Sequence, residues 1–146
     1  MTRTEEAYNL LQEQLPTIPV PHDGIIKEIM LSEGWLTFSF ENNISRHDAV
    51  RCTHPDAQSL TMRFHLIDEE DIDLFAYEER KYESVYVRRR PKKLLELARK
   101  SSLSYLMHYV AYGALQIELC ADSVPILLGL RTDRVVMDWL CQRPEA

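Results

Sequence analysis

The chain contains only four glycines, and no two of them lie close together. A loop that cradles phosphate needs clustered glycines, so that several backbone N–H groups converge on one anion. The isolated Gly24, Gly34, Gly113 and Gly129 therefore argue against nucleotide binding through such a loop.

Cysteine is also scarce. Cys52, Cys120 and Cys141 are odd in number and widely spaced, and the sequence has no CxxC pair. This pattern fits a reducing cytoplasm better than a disulfide framework.

Long apolar runs are missing as well. The segment 1–16 is acidic and amphipathic, without the apolar core of a signal peptide, and no apolar run approaches the ~18 residues of a membrane span. We expect a cytoplasmic protein that does not bind membranes.

The sequence also lacks catalytic signatures. The sequence has no GxSxG motif, and each cysteine would need a separate argument for activation. The sequence therefore favours a non-enzymatic protein and implies no cofactor.

The composition is that of one globular domain. The 146 residues are 45% hydrophobic and 27% charged, with a formal charge of −6. A chain of this length buries one sizeable core, and its acidity argues against nucleic-acid binding by the whole molecule.

The N-terminal half shows a change of periodicity. Helical spacing of apolar residues predicts a helix at about 4–15, followed by a proline-rich connector at 16–21. Alternation then predicts a hairpin of strands 25–31 and 35–41, and a further strand at 60–66.

The C-terminal half predicts strands at 72–77, 84–89 and 115–119, with a helix beginning at Pro91. Residues 101–113 fit a helix or a strand, and the apolar spacing favours helix. Residues 126–130 and 134–140 predict a hairpin turning at 131–133. These elements predict one α+β domain over 1–146, with a β-rich body at 22–141: a mainly antiparallel sheet of six to eight strands, with two or three helices packed on it.

Charge is strongly segregated in the middle of the chain. The acidic segment, residues 68–79, contains no Lys or Arg, and the basic segment, residues 80–100, holds nine of the 17 basic residues. Such segregation creates a local field that steers charged partners.

The acidic segment predicts a docking surface for a basic protein, such as a toxin or nuclease. Clustered carboxylates speed encounter with a basic partner, and two aromatic rings provide anchors for an interface. The predicted partner-binding residues are Asp68, Glu69, Glu70, Asp71, Asp73, Phe75, Tyr77, Glu78 and Glu79. This prediction requires that the Phe75 and Tyr77 rings do not face the core.

The two segments also have a simpler interpretation, in which they lie on adjacent strands and neutralise each other. Opposite charges across neighbouring strands stabilise a sheet by a few tenths of a kcal/mol per pair.

The basic segment offers an alternative function, binding of single-stranded nucleic acid. Aromatic rings that stack on bases beside cations that follow the backbone are the ingredients of such sites. The residues concerned are Tyr82, Tyr86, Arg88, Arg89 and Arg90.

A second alternative is a metal-dependent hydrolase. Adjacent His and Asp bind divalent metals, which lower the pKa of a bound water. The dipeptides His22-Asp23 and His47-Asp48 supply the donors. They fall at a strand start and in a loop rather than on helices, which favours a structural role for them.

The run from Pro21 to Ile29, PHDGIIKEI, followed by LTFSF at 36–40, resembles the opening of small uncharacterised bacterial domains. Some of these resemble immunity proteins of polymorphic-toxin systems. The resemblance covers the first third of the chain, with an echo at Ser45–Ala49, and implies a non-catalytic cytoplasmic protein that covers a toxin's active site. It carries over no binding residues.

Overall fold

A computed structural model of the protein describes residues 1–142, and nine strands form one sheet in which every pair is antiparallel. The first strands are β1 (Thr2–Asn9), β2 (Ile25–Ser32), β3 (Trp35–Phe40) and β4 (Ala57–Leu66). The remaining strands are β5 (Ile72–Glu79), β6 (Ser84–Arg89), β7 (Leu103–Ala111), β8 (Ala114–Ala121) and β9 (Val124–Cys141). The helices are α1 (Asp48–Thr53) and α2 (Lys92–Lys100), with a 3-10 turn at Ile44–Arg46.

The fold is mainly β, so the predicted α+β class with six to eight strands is wrong. Strands make up 57% of the described residues and helices only 13%. Of the two α-helices, α2 contributes an apolar stripe to the core through Leu94 and Ala98, and it packs against β2.

The predicted N-terminal helix is also wrong. β1 pairs with β9 along its whole length, from Thr2 opposite Cys141 to Asn9 opposite Arg134. Its alternating polar side chains suit a strand at the sheet surface, and this long-range pairing overrides the helical spacing of the apolar residues.

β9 organises the sheet because it changes neighbours along its 18 residues. Residues 124–131 pair with β8, and within them 126–130 also pair with β5. Beyond this point β9 pairs with β4 and β1 instead. Since β4 and β8 are the two ends of the path β4-β3-β2-β7-β8, the sheet closes on itself through β9.

The hairpin expected around residues 131–133 is therefore wrong. Thr132 is fully buried in the middle of β9; its N–H donates to Gly113 O at 3.1 Å and its hydroxyl donates to Arg134 O at 3.1 Å. The polar triplet Arg131-Thr132-Asp133 marks the exchange of neighbouring strands, where a turn was expected.

Residues 103–111 form strand β7, so the preference for a helix at 101–113 was wrong. β7 pairs with β8 through a turn at Tyr112-Gly113, and Gly113 takes a left-handed φ of 63°. A bulge between Tyr105 and Met107 interrupts the alternation, which hid the strand pattern in the sequence.

The β2–β3 hairpin and strand β4 confirm the predictions made from alternation. Their inward side chains pack in a single core around Phe38, Phe64 and Trp139. Phe38 and Phe64 meet edge to face, with ring centroids 5.0 Å apart.

Candidate functional site

The hairpin of β5 and β6 places the acidic segment beside the start of the basic segment. Phe75 lies opposite Arg88 and Tyr77 lies opposite Tyr86. Arg88 donates to Asp73 at 2.8 Å, so the two segments pair with each other across the hairpin.

Glu78 is a second acidic residue whose charge is neutralised by arginines of the basic segment. It receives hydrogen bonds from Arg80, at 3.1 Å, and from Arg89. The Arg80 hydrogen bond, together with the charge of Arg89, lowers the pKa of the Glu78 carboxyl. Glu78 is thus occupied within the hairpin and is removed from the predicted docking surface.

Strand alternation decides which side chains of β5 face the core. Ile72 and Leu74 are buried, whereas Asp73, Phe75 and Tyr77 point to the opposite side. The Phe75 and Tyr77 rings are half-buried on this side, so they do not enter the core. The docking surface predicted from the sequence required that these two rings do not face the core, and the structure meets this requirement.

Five strands continue this side of the sheet, which we call the outer face. Residues in direct register across it are Met107, Glu118, Leu127, Phe75 and Arg88. A parallel row contains Tyr109, Gln116, Gly129 and Asp73. Tyr77 and Tyr86 extend the face along β5 and β6, with ring centroids 5.5 Å apart.

Gly129 creates a depression in the outer face. Without a side chain at this position, Tyr109, Gln116 and Asp73 surround an open space of about 390 Å³, with Arg131 at its rim. The aromatic ring and the carboxylate suit an incoming cationic side chain.

The turn between β4 and β5 carries the carboxylates that remain available. Asp68, Glu69 and Glu70 are exposed and Asp71 is half-buried, and none of the four forms an ion pair within residues 1–142. Asp68 Oδ1 accepts the backbone N–H of Glu70 at 3.1 Å, which orders the turn. Exposed Glu79, at the other end of β5, likewise has no cationic partner in the described chain.

The residues of the nucleic-acid alternative are dispersed. Tyr86 and Arg88 share the outer face, but alternation places Arg89 on the inner side, where it binds Glu78. Tyr82 is 89% exposed at the hairpin tip beneath Lys81, and Arg90 follows the end of β6. The geometry therefore does not assemble one stacking surface from these five residues.

The His-Asp pairs of the metal alternative do not form a ligand cluster. Within residues 1–142, no group of three or more His, Cys, Asp or Glu side chains is arranged to hold a metal ion. His22 Nδ1 contacts Leu106 O at 2.7 Å and lies 3.4 Å from Asp23 through Nε2, while Asp48 pairs with Arg51. Burial and the charge of Arg46 lower the pKa of His47. His22, Asp23 and Asp48 thus make local side-chain contacts, and His47 accepts the N–H groups of Val50 and Arg51 through its backbone carbonyl at the start of α1.

Sequence reasoning missed the half of the outer face that lies on β7, β8 and β9. The missed residues are Met107, Tyr109, Gln116, Leu127 and Gly129. Alternation at 115–119 already placed Gln116 and Glu118 on one face, but the helix expected at 101–113 concealed their neighbours.

Comparison of the chain with protein-family models, with curated proteins and with solved structures found no match. Within residues 1–142, neither α-helix has the length and apolar character needed to cross a membrane.

Proposed function

We propose that this protein is a non-enzymatic interaction domain that binds a basic protein partner through the outer face and the acidic turn at residues 68–71. An inhibitory role of the immunity type, exercised in the cytoplasm, is part of the proposal. The observation that carries it is the presence of half-exposed Phe75 and Tyr77 rings on the sheet, together with the carboxylates of residues 68–71, which form no ion pair within residues 1–142.

The two parts of the surface have different physical roles. Exposed carboxylates accelerate encounter and discriminate against acidic proteins, because complementary potentials act before contact. Aromatic rings on a sheet supply the affinity, because they desolvate a large area with little loss of side-chain entropy. Asp73 is already paired with Arg88, which concentrates the free negative charge in the acidic turn.

The proposal is tested by selecting ligands from a phage-displayed library of random linear peptides. Selected peptides should carry net positive charge, and their affinity should be measured by isothermal titration calorimetry. The triple variant Glu69→Lys, Glu70→Lys, Asp71→Lys should weaken binding about tenfold, because three attractive charges of a few tenths of a kcal/mol each become repulsive.

A matched control changes the same net charge elsewhere. Glu13, Glu28 and Glu33 are exposed and have no ion pair within residues 1–142. Their replacement by Lys should change peptide affinity little at physiological salt, where charges act over about 8 Å. Neutral or acidic selected peptides, or equal losses in the two triple variants, would contradict the proposal.

A further inference from the structure

β6 lies at the end of the sheet path and pairs with β5 alone in the part of the chain that the structure describes. An edge strand presents a row of unpaired backbone N–H and C=O groups, which is a template for another strand. The Tyr86 and Arg88 side chains belong to the outer face, but the free backbone edge of β6 lies beside that face, and a strand added there would extend the sheet in its own plane.

The hairpin register identifies the backbone groups on that edge. Arg80 N donates to Glu83 O at 2.9 Å, so this pair is hydrogen-bonded across the turn. Opposite residues in an antiparallel ladder alternate between bonded and non-bonded pairs. Val85, Val87 and Arg89 therefore bond to β5, and the N–H and C=O groups of Ser84, Tyr86 and Arg88 point away from it.

Charged side chains ordinarily protect such an edge from pairing. Arg88 and Arg89 are the charges on β6, but each is bound by a β5 carboxylate, Asp73 and Glu78 respectively. Apart from Ser84, the rest of the strand is the apolar stretch Val85-Tyr86-Val87, with Tyr86 46% exposed. The edge is thus less repulsive than its sequence suggests.

We infer that β6 pairs with β6 of a second copy of this chain, antiparallel and centred on Tyr86. In this arrangement Tyr86 faces Tyr86, and the outward backbone groups of Ser84 meet those of Arg88 in the second copy. Each copy thereby satisfies three outward N–H groups. The dimer is isologous, since the same edge serves both copies.

Charge complementarity selects this register. Pairing centred on Tyr86 sets Glu83 opposite Arg89 of the second copy, where it adds a second carboxylate to the guanidinium that Glu78 already binds, and sets Val85 opposite Val87. Centring on Val85 would set Lys81 opposite Arg89, which are like charges.

Centring on Val87 would set Val85 opposite Arg89 and Glu83 opposite Pro91. Of the three registers, only the Tyr86-centred one pairs an acid with a base and matches its apolar residues.

The first test is the mass in solution by sedimentation velocity over a range of protein concentrations. The wild-type chain should reach twice its mass of 17.1 kDa. Tyr86→Pro removes the central outward N–H but no bond to β5, so it should raise the dimer dissociation constant at least tenfold. Tyr86→Ala, which keeps that N–H, should dimerise better than Tyr86→Pro.

The second test fixes the register by disulfide cross-linking in a Cys52→Ser background, because Cys52 is an exposed thiol. Tyr86→Cys should form a disulfide-linked dimer on oxidation, since Cα atoms of a bonded pair lie about 5.5 Å apart. Ser84→Cys should not, because its two copies would be offset by about 13 Å along the strands.

Three results would each overturn the inference. The wild-type chain could stay monomeric at every concentration, or the two cysteine variants could cross-link equally. Alternatively, Tyr86→Pro could dimerise as strongly as wild type. Peptide binding is measured separately, so a monomeric chain that still binds basic peptides would reject the dimer and leave the proposed function standing.

Discussion

Arg88 on β6 donates a hydrogen bond of 2.8 Å to Asp73 on β5, on the side of the sheet that also carries Phe75 and Tyr77. The pair joins the acidic and basic segments and neutralises the middle of the outer face. Both side chains remain largely exposed, at 71% and 55%, so the pair contributes little to stability. Its main effect is to reduce the charge that the outer face presents to solvent.

Removing Arg88 should therefore strengthen binding of basic peptides. Arg88→Ala frees Asp73 at the rim of the depression, and the free energy of unfolding in urea should change by less than about 1 kcal/mol. Calorimetric titration with a selected basic peptide measures the gain. Arg99→Ala, which removes an exposed charge from α2, is the control and should leave affinity nearly unchanged.

Filling the depression should weaken peptide binding without damaging the fold. A Cβ at Gly129 would meet Asp73 Cβ at 3.7 Å, an ordinary contact, and the backbone there is not left-handed. Gly129→Leu should keep the melting temperature within a few degrees and lower peptide affinity, whereas Gly129→Ala should bind like wild type. Equal affinity of the Leu and Ala variants would show that the depression takes no part in binding.

Glu6 should be a stabilising residue despite its place on a surface strand. Its Oε1 accepts the indole N–H of buried Trp139 at 2.5 Å and lies 3.0 Å from His54 Nε2. Glu6→Ala leaves the buried indole donor unsatisfied and should cost about 1–3 kcal/mol in urea unfolding. The neighbouring Glu5→Ala loses only a 3.7 Å contact with Arg63 and should cost less than about 1 kcal/mol.

Stability should fall as the pH decreases below about 6.5. His108 is buried between Tyr105 Oη, 2.6 Å from its Nδ1, and Ile18 O, 2.8 Å from its Nε2. Burial lowers its pKa, so the unfolded chain takes up the proton first. Neutral His108 therefore stabilises the fold fully at pH values above the pKa of histidine in the unfolded chain. This stabilisation is lost as the pH falls from that pKa towards the lower pKa of His108 in the folded chain.

Urea unfolding between pH 5 and 7 measures this slope, which is at most about 1.4 kcal/mol per pH unit for one proton. His47, whose pKa is also lowered by burial, contributes in the same direction. His108→Gln should flatten the slope; an unchanged slope would rule out His108 as a source.

Local alternation predicted the strands whose neighbours are close in sequence. β2, β3 and β4 follow in order, and Leu36, Phe38 and Phe64 are buried as their spacing indicated. The errors involve β1, β7 and β9. β1 is held by β9 more than 120 residues away, and no local signal reports that pairing.

The candidate site was predictable in part for the same reason. Pairing between the acidic and basic segments follows from their nearness in one hairpin. Alternation along β5 is enough to predict which side of the sheet Phe75 faces. Predicting the other residues of the outer face requires the registers of β5 with β9, of β9 with β8, and of β8 with β7. These contacts are made by residues 124–131 of β9, and no local pattern in that segment identifies β5 as its second neighbouring strand.

The affinity of a selected basic peptide for Phe75→Ala tests the central claim most directly. An anchoring ring typically contributes 2 kcal/mol or more, so binding should weaken at least about thirtyfold while the melting temperature stays near that of wild type. Tyr82→Ala, which removes a ring that is 89% exposed at the hairpin tip, should bind like wild type. Equal affinity of Phe75→Ala and wild type would contradict the account.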